Sequence, residues 1–412
     1  MNPFLIIILA ALIAEFALHL TANLLNLRSL RPEPPSDLEG IYILDDYRNS
    51  QEYTRTNTRF GLLVSAFRLL LLLSFWFAGG FDYLDQAVRT WELGPIAGGL
   101  LYIGILAAAY MLVSIPFNVY ATFVIEEHFG FNRTTPRTFL LDCLKGLSLT
   151  TLLGAPLLVT VLSIFEYLGP YAWLYCWAVV IAFFLAIQFI APTWIMPLFN
   201  KFTPMEAGEL RDGIIGYARS VDFPVKNIFV MDGSRRSSKS NAFFTGIGRN
   251  KRIALFDALV ERHTVPEVVA VLAHEIGHHK RRHILQGTVF AVMNAGVIFF
   301  LLSVFLSSSN LYQAFYVEQP SIYTGLLFFG MLYTPIDLVL SMALNTVSRR
   351  NEYQADRYAV ETIEKPMGLV DALKRLHATS LSNLTPHPLF VFLNYSHPPL
   401  LQRVRAIQQY EA

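Results

Sequence analysis

The segment VLAHEIGHHK, residues 271–280, carries His274, Glu275 and His278 in an HExxH arrangement. On a helix, residues four apart project from one face, so the two imidazoles can be aimed at a single ion. Glu275 then lies beside that ion without ligating it. Zinc lowers the pKa of a bound water to about 7, and an adjacent carboxylate can take the proton as the water attacks a carbonyl. The spacing encodes a hydrolytic centre; the bland alternative is a polar helix with satisfied surface histidines.

The motif works only on a helix with a defined start. Thr264 and Glu267 form a capping box, Pro266 is tolerated in the first turn, and VVAVLA at 268–273 supplies an apolar face just before the polar cluster. His279 points away from the 274/278 face and His283 falls about half a turn opposite His274, so both read as ordinary polar residues. Lys280, Arg281 and Arg282 read as a basic flank where the helix meets a membrane boundary rather than as a nucleic-acid contact.

Two histidines leave zinc short of ligands. In NEYQADRYA, residues 351–359, Glu352 and Asp356 again stand four apart on an expected helix. Glu352 can ligate while Asp356 accepts a hydrogen bond from a ligand imidazole and fixes its tautomer. Carboxylates four apart also mark ordinary solvated faces, so the pair gains its meaning from the HExxH upstream.

Of the 412 residues 54% are hydrophobic and 15% charged, against roughly 25% charged in soluble domains. The chain belongs mainly in lipid, and its net charge of +1 argues against a polyanionic partner. Cys143 and Cys176 are too few and too separated for a disulfide framework or a thiolate zinc site, and read as core residues. Seven stretches are long and apolar enough to cross a bilayer: about 3–27, 60–80, 97–123, 144–165, 171–195, 285–307 and 322–345. The first lacks a basic n-region and is interrupted by Glu15 and His19, so it reads as a retained helix, not a signal peptide.

Basic residues collect after the first, third, fifth and seventh spans, beginning with Arg28, Arg133, Lys201 and Arg349; only Arg89 follows the second, and none follow the fourth and sixth. This alternation puts the N-terminus outside or in the lumen, and the C-terminus and HEIGH in the cytosol. The sequons at Asn132, Asn383 and Asn394 should then escape glycosylation. The expected parts are 1–195 with the first five spans, an insertion at 196–284, two spans at 285–345 and a tail at 346–412. Within the insertion, 227–232, 241–246 and 252–256 suggest a small sheet ahead of the HEIGH helix, with irregular loop as the alternative. Glu15, Arg68, Asn118, Gln188, Asn294 and Asp337 are too polar for lipid and favour a hydrated interior, which a transporter would share.

With these residues in hand, the chain resembles the type I CAAX prenyl endopeptidases, a family of integral-membrane zinc metalloproteases. The resemblance rests on VLAHEIGHHK, NEYQADRYA, SNAFFTG with KRIALFDALV, IMPLFNKFTPMEAGEL and SHPPLLQRVRAI, and runs essentially the full length. It implies a mainly α, polytopic membrane protein: seven transmembrane helices enclosing a water-filled chamber, with a cytosolic zinc-metalloprotease domain containing a small β-sheet. It further implies one Zn2+ per chain and removal of the last three residues of a prenylated Cys protein. Asn241, Ala242 and Phe243 resemble the edge strand that holds the substrate backbone, a sequence-independent grip. His397 resembles a residue that stabilises the oxyanion, and Arg403 one that braces this region through an ion pair.

The expected partners are thus a lipid bilayer and a peptide or protein substrate. A membrane quality-control endopeptidase is the alternative within the same chemistry, and a transporter or scaffold with structural zinc the alternative outside it. The short connection between the sixth and seventh spans and the lack of a retention signal favour a bacterial inner membrane over the endoplasmic reticulum.

Overall fold

The computed structural model describes residues 2–34, 44–225, 227–239, 242–245 and 252–411. Among the described residues, seven helices are long and apolar enough to cross a membrane: Pro3–Arg28, Leu44–Phe77, Gly94–Glu126, Pro136–Tyr167, Gly169–Phe199, His283–Phe305 and Ile322–Thr362. Five contain the whole of an expected apolar run, usually with polar turns added beyond it, while the second and sixth end two or three residues before the expected runs 60–80 and 285–307 do. The seventh is the extreme case. Its 41 residues give a rod of about 61 Å, twice the roughly 30 Å hydrocarbon thickness. The apolar run at 322–345 and the Glu352 segment are therefore one continuous helix, which extends well beyond its apolar run.

Only 6 to 17% of each span's most apolar window is buried within the chain, and none of Glu15, Arg68, Asn118, Gln188, Asn294 and Asp337 is buried. Asn294 accepts a 2.7 Å bond from the Tyr333 hydroxyl and lines a cavity with Gln188. The Arg68 guanidinium lies 5.3 Å from the centre of the Tyr110 ring. Polar side chains inside an apolar wall need water or one another, which a hollow interior supplies. Cys176 is buried and Cys143 half-buried, both as free thiols.

Packing is concentrated at the two ends. At one, Trp76, Phe81, Phe315 and Phe328 form an aromatic core, with Phe315 stacked on Phe328 at 4.0 Å. At the other, Ile214, Ile228, Leu255, Leu272, Ile276, Val370 and Ile407 form the core of the extramembrane part. Here lies a four-stranded sheet of order β1-β2-β4-β3, with β1 Phe202–Pro204, β2 Asn227–Met231, β3 Ala242–Thr245 and β4 Arg252–Phe256. The three expected strands are present and β1 is additional. β2 and β4 run parallel with Ile228 opposite Ile253, while β3 runs antiparallel to β4 with Phe243 opposite Ala254. β3 is therefore an edge strand among the described residues; Asn241, beside it, lies outside them.

Polar contacts clamp the segment between β2 and β3 onto the spans. Arg236 donates from Nε and Nη2 to Asp142 at 2.7 and 2.9 Å, and from Nη1 to Asn200 at 2.9 Å. Lys239 Nζ reaches Glu126 Oε2 at 3.0 Å and the Tyr53 hydroxyl at 2.7 Å. Asn132 forms an isolated bridge with Ser237. Residues from the second to fifth spans thus anchor the chain leading into the edge strand.

Candidate active site

The HEIGH helix, Val265–Lys280, begins as the sequence requires: Thr264 and Glu267 form the capping box, and the Thr264 backbone N–H donates to Glu267 Oε2 at 2.7 Å. Val268, Ala270, Leu272, Ala273, Ile276 and Gly277 are buried, turning His274 and His278 toward the extension of the seventh span. Gly277 is where the two helices touch. A Cβ there would lie 3.1 Å from both the Cα and the carbonyl oxygen of Ala355, one turn from Glu352.

This approach brings three side chains together. His274 Nε2 lies 3.2 Å from His278 Nε2 and 3.4 Å from Glu352 Oε2, and His278 Nε2 lies 3.2 Å from Glu352 Oε1. Ligands about 2.0–2.1 Å from a tetrahedral zinc are separated by about 3.3–3.4 Å, so the triangle has the edges of a zinc site. Among the described residues Glu352 Oε2 is buried without a hydrogen-bond partner, with Arg403 Nη1 3.6 Å away, an arrangement that a cation bound directly to the carboxylate relieves. The residues fit the metal.

Behind the triangle, His274 Nδ1 lies 2.8 Å from Asp356 Oδ1, which is fully buried. Arg403 grips Asp356 from Nε at 2.8 Å and Nη2 at 2.5 Å. The 3.4 Å approach of Arg403 Nη2 to His274 Nδ1 is not a hydrogen bond, because that nitrogen's proton is committed to Asp356. Burial disfavours a charge on His274, but the bond to Asp356 and the nearby Glu352 outweigh it and hold the imidazole up to about 9. Burial pushes the Glu275 carboxyl up, with His274 and His278 acting against it. A carboxylate raised in this way suits proton transfer near neutral pH.

His397 Nε2 lies 3.3 Å from Glu352 Oε1, and its Nδ1 lies 2.9 Å from Ser396 Oγ. With the serine hydroxyl donating to Nδ1, the Nε2 proton points into the site. A cavity of about 1370 Å³ opens here, lined by Glu275, the three converging residues, His397, and wall residues of the fifth, sixth and seventh spans. Met196, Ile284, Leu285 and Phe290 are among its apolar lining residues.

One expectation fails. His283 is not an ordinary polar residue: it is buried, its Nδ1 lies 3.0 Å from His278 Nδ1, and its Nε2 lies 3.2 Å from Gln354 Oε1. The helical wheel misplaces it because the helix stops at Lys280, Arg282 turns left-handed at φ 60°, and a new helix starts at His283. HExxH followed by a basic cluster and a fourth His was the available signal, but only a helix break makes the contact. His279 packs edge-on against Phe223 with ring centres 5.3 Å apart, and the exposed Lys280 donates to the Asp222 carbonyl at 3.3 Å.

The family model described as CAAX prenyl protease N-terminal, five membrane helices, matches residues 23–201, and that of peptidase family M48 matches residues 204–411. A probable CAAX prenyl protease 1 of Schizosaccharomyces pombe is 37% identical over 92% of this chain and 82% of its own length. CAAX prenyl protease 1 of Saccharomyces cerevisiae is 34% identical over 90% and 88%. The crystal structure of S. mikatae Ste24p superposes with a TM-score of 0.93, covering 99% of both chains at 33% identity.

Proposed function

This chain belongs to peptidase family M48, with the CAAX prenyl proteases, and is a membrane metalloendopeptidase; we propose that it uses one zinc ion to cleave the C-terminal tripeptide from proteins prenylated at a Cys. The observation that carries this reading is the His274, His278, Glu352 triangle, opening on a cavity with apolar lining residues and lying in the same unit as β3, an edge strand among the described residues. His274, His278 and Glu352 would hold the ion, and Asp356, itself held by Arg403, fixes the His274 tautomer. When bound, zinc polarises the scissile carbonyl and makes its water a nucleophile near neutral pH.

The remaining steps belong to the chain. The substrate backbone pairs with the open side of β3 at Ala242 and Phe243, with Asn241 assigned to the same grip by resemblance. Glu275 takes the proton of the attacking water on a carboxylate oxygen and delivers it to the leaving amine nitrogen. The His397 Nε2 proton meets the oxygen on which negative charge develops. An isoprenoid on the substrate Cys would lie against Met196, Ile284, Leu285 and Phe290.

The orientation, with the C-terminus and the metal site in the cytosol, is part of the proposal and rests on the basic residues after alternate spans. The compact loop after the sixth span supports a bacterial inner membrane, whereas the eukaryotic sources of the relatives support the endoplasmic reticulum; cell fractionation decides between them. The activity is tested with purified wild type and Glu275→Gln given a farnesylated CAAX peptide, its unprenylated twin and an unfolded membrane protein. The expected result is preferential cleavage of the farnesylated peptide, falling by about 10²–10⁴-fold in Glu275→Gln with zinc content unchanged. Equal cleavage of all three substrates would favour a quality-control endopeptidase, and full activity of Glu275→Gln would remove the general base.

A further inference from the structure

Each of the two histidines in the metal triangle has its outer nitrogen engaged, but by different chemistry. His274 faces the carboxylate of Asp356 at 2.8 Å, while His278 faces the neutral ring of His283 at 3.0 Å between Nδ1 atoms. The His278 and His283 rings meet edge to face with centres 5.0 Å apart, so the contact runs through the nitrogens and not through stacked faces.

We propose that His283 is a positioning residue: it holds His278 in the tautomer and orientation that present Nε2 to the metal, and Gln354 sets the direction of that relay. The proton assignments follow one from another. Gln354 Oε1 can only accept, so the His283 Nε2 facing it at 3.2 Å carries the proton. A neutral His283 then has a bare Nδ1, which can only accept. The proton between the two Nδ1 atoms therefore belongs to His278, leaving His278 Nε2 bare toward Glu352 at 3.2 Å. Reversing any link would put a proton on the nitrogen that must ligate. His283 is not itself a ligand, since the nitrogen nearest the triangle is already turned to His278.

The helix break serves this contact. Arg282 occupies the left-handed region at φ 60°, a conformation that disfavours a residue with a Cβ. The break sets His283 at the first turn of the sixth span, and Gln354 lies two residues past Glu352 on the seventh. The relay ties a metal-binding side chain to both membrane helices. Its neutral partner also gives His278 less electron donation than Asp356 gives His274, which makes His278 the ligand more dependent on its support.

The inference rests on the zinc reading, and its test keeps the two apart. Full-length wild type, His283→Ala and His283→Asn, purified in detergent and loaded with zinc, are compared for the rate of zinc transfer to a chromogenic chelator. Thermal midpoints are measured with and without metal. His283→Ala should release zinc about 10- to 100-fold faster, and the gain in midpoint on adding zinc should shrink while the metal-free midpoint changes little. In His283→Asn an amide oxygen takes the place of Nδ1, accepts the His278 proton, and should restore slow release. Unchanged release from His283→Ala, or an equal drop of both midpoints without rescue by Asn, would make His283 a packing residue and overturn the proposal. If the wild type binds no zinc, the metal reading itself fails and takes the relay with it.

Discussion

His274 has a proton to lose before it can bind a metal. In the metal-free chain its imidazole sits in low-dielectric surroundings that disfavour charge, yet Asp356 and Glu352 raise it to about 9. A group raised above its unfolded value of about 6.5 contributes stability fully present below that value and lost as pH rises through the folded one. Metal binding runs the other way. Zinc needs the bare Nε2, so at pH 7 it must displace a proton, and its apparent affinity should rise about tenfold per pH unit between pH 6.5 and 8.5, levelling above about 9. Calorimetry in buffers of different ionisation heat should report about one proton released per zinc at pH 7; a heat independent of buffer would contradict the assignment. This much was visible in spacing: HExxH and ExxxD name the three converging residues and Asp356, because i to i+4 geometry is a property of any helix. Arg403 was named only through resemblance. Its role is a contact between residues 47 apart in sequence, and no local pattern encodes such a contact.

The proposed metal triangle is built from two helices and depends on how closely they approach, and Gly277 sits where they touch. The atoms a Cβ would meet at 3.1 Å belong to the Ala355 backbone, and backbone cannot rotate away. Gly277→Ala should push the HEIGH helix off the seventh span and move His274 and His278 relative to Glu352, at a cost of about 1–3 kcal/mol. The expected signature is a lower thermal midpoint with reduced zinc retention, and a fall in kcat larger than any change in KM. Wild-type retention and midpoint in Gly277→Ala would show that the approach has slack. At this scale the sequence was partly legible. The capping box, the apolar face at 268–273 and strands β2, β3 and β4 follow from periodicity and propensity. β1 did not: three residues ending in Pro204 carry no alternating pattern, and Pro is tolerated there because an edge strand need not donate from every N–H. The turn at Arg282 was hidden for a related reason. A basic residue in the left-handed region leaves no glycine or proline to mark the break, so the helical wheel was carried through a point where the helix ends.

The seven crossings were readable because length and apolarity are properties of single segments, whereas the hollow between them is a property of how all seven meet. The direction of insertion is a whole-molecule property too, and the structure gives it a sharp form. Asn132 bridges to Ser237 beside the arginine clamp, and Asn383 donates to Asn26, two residues from the end of the first span. Asn394 ends the helix Pro388–Asn394, whose Leu393 carbonyl accepts from Asn345 near the site-bearing end of the seventh span. All three sequons therefore share an end with the candidate metal site. The opposite end is capped by the helix Gly80–Arg89, where buried Asp85 accepts from Tyr323 at 2.6 Å and Arg89 at 2.8 Å, leaving Tyr83 77% and Trp91 68% exposed. Reporter positions follow from that division. On a background with Cys143 and Cys176 replaced by Ser and Ala, a cysteine at Tyr83 or Trp91 should react with an impermeant maleimide on intact cells or, for a lumenal face, only after opening the organelle. A cysteine at exposed Arg281 should show the reverse compartment. None of the sequons should carry glycan if, as proposed, the positive-inside bias sets their whole end in the cytosol. Labelling of Arg281 and Tyr83 positions from the same side would break the seven-span topology. Exchange of the two sides with the spans intact would place the metal site outside the cytosol, where a cytosolic prenylated C-terminus could not reach it.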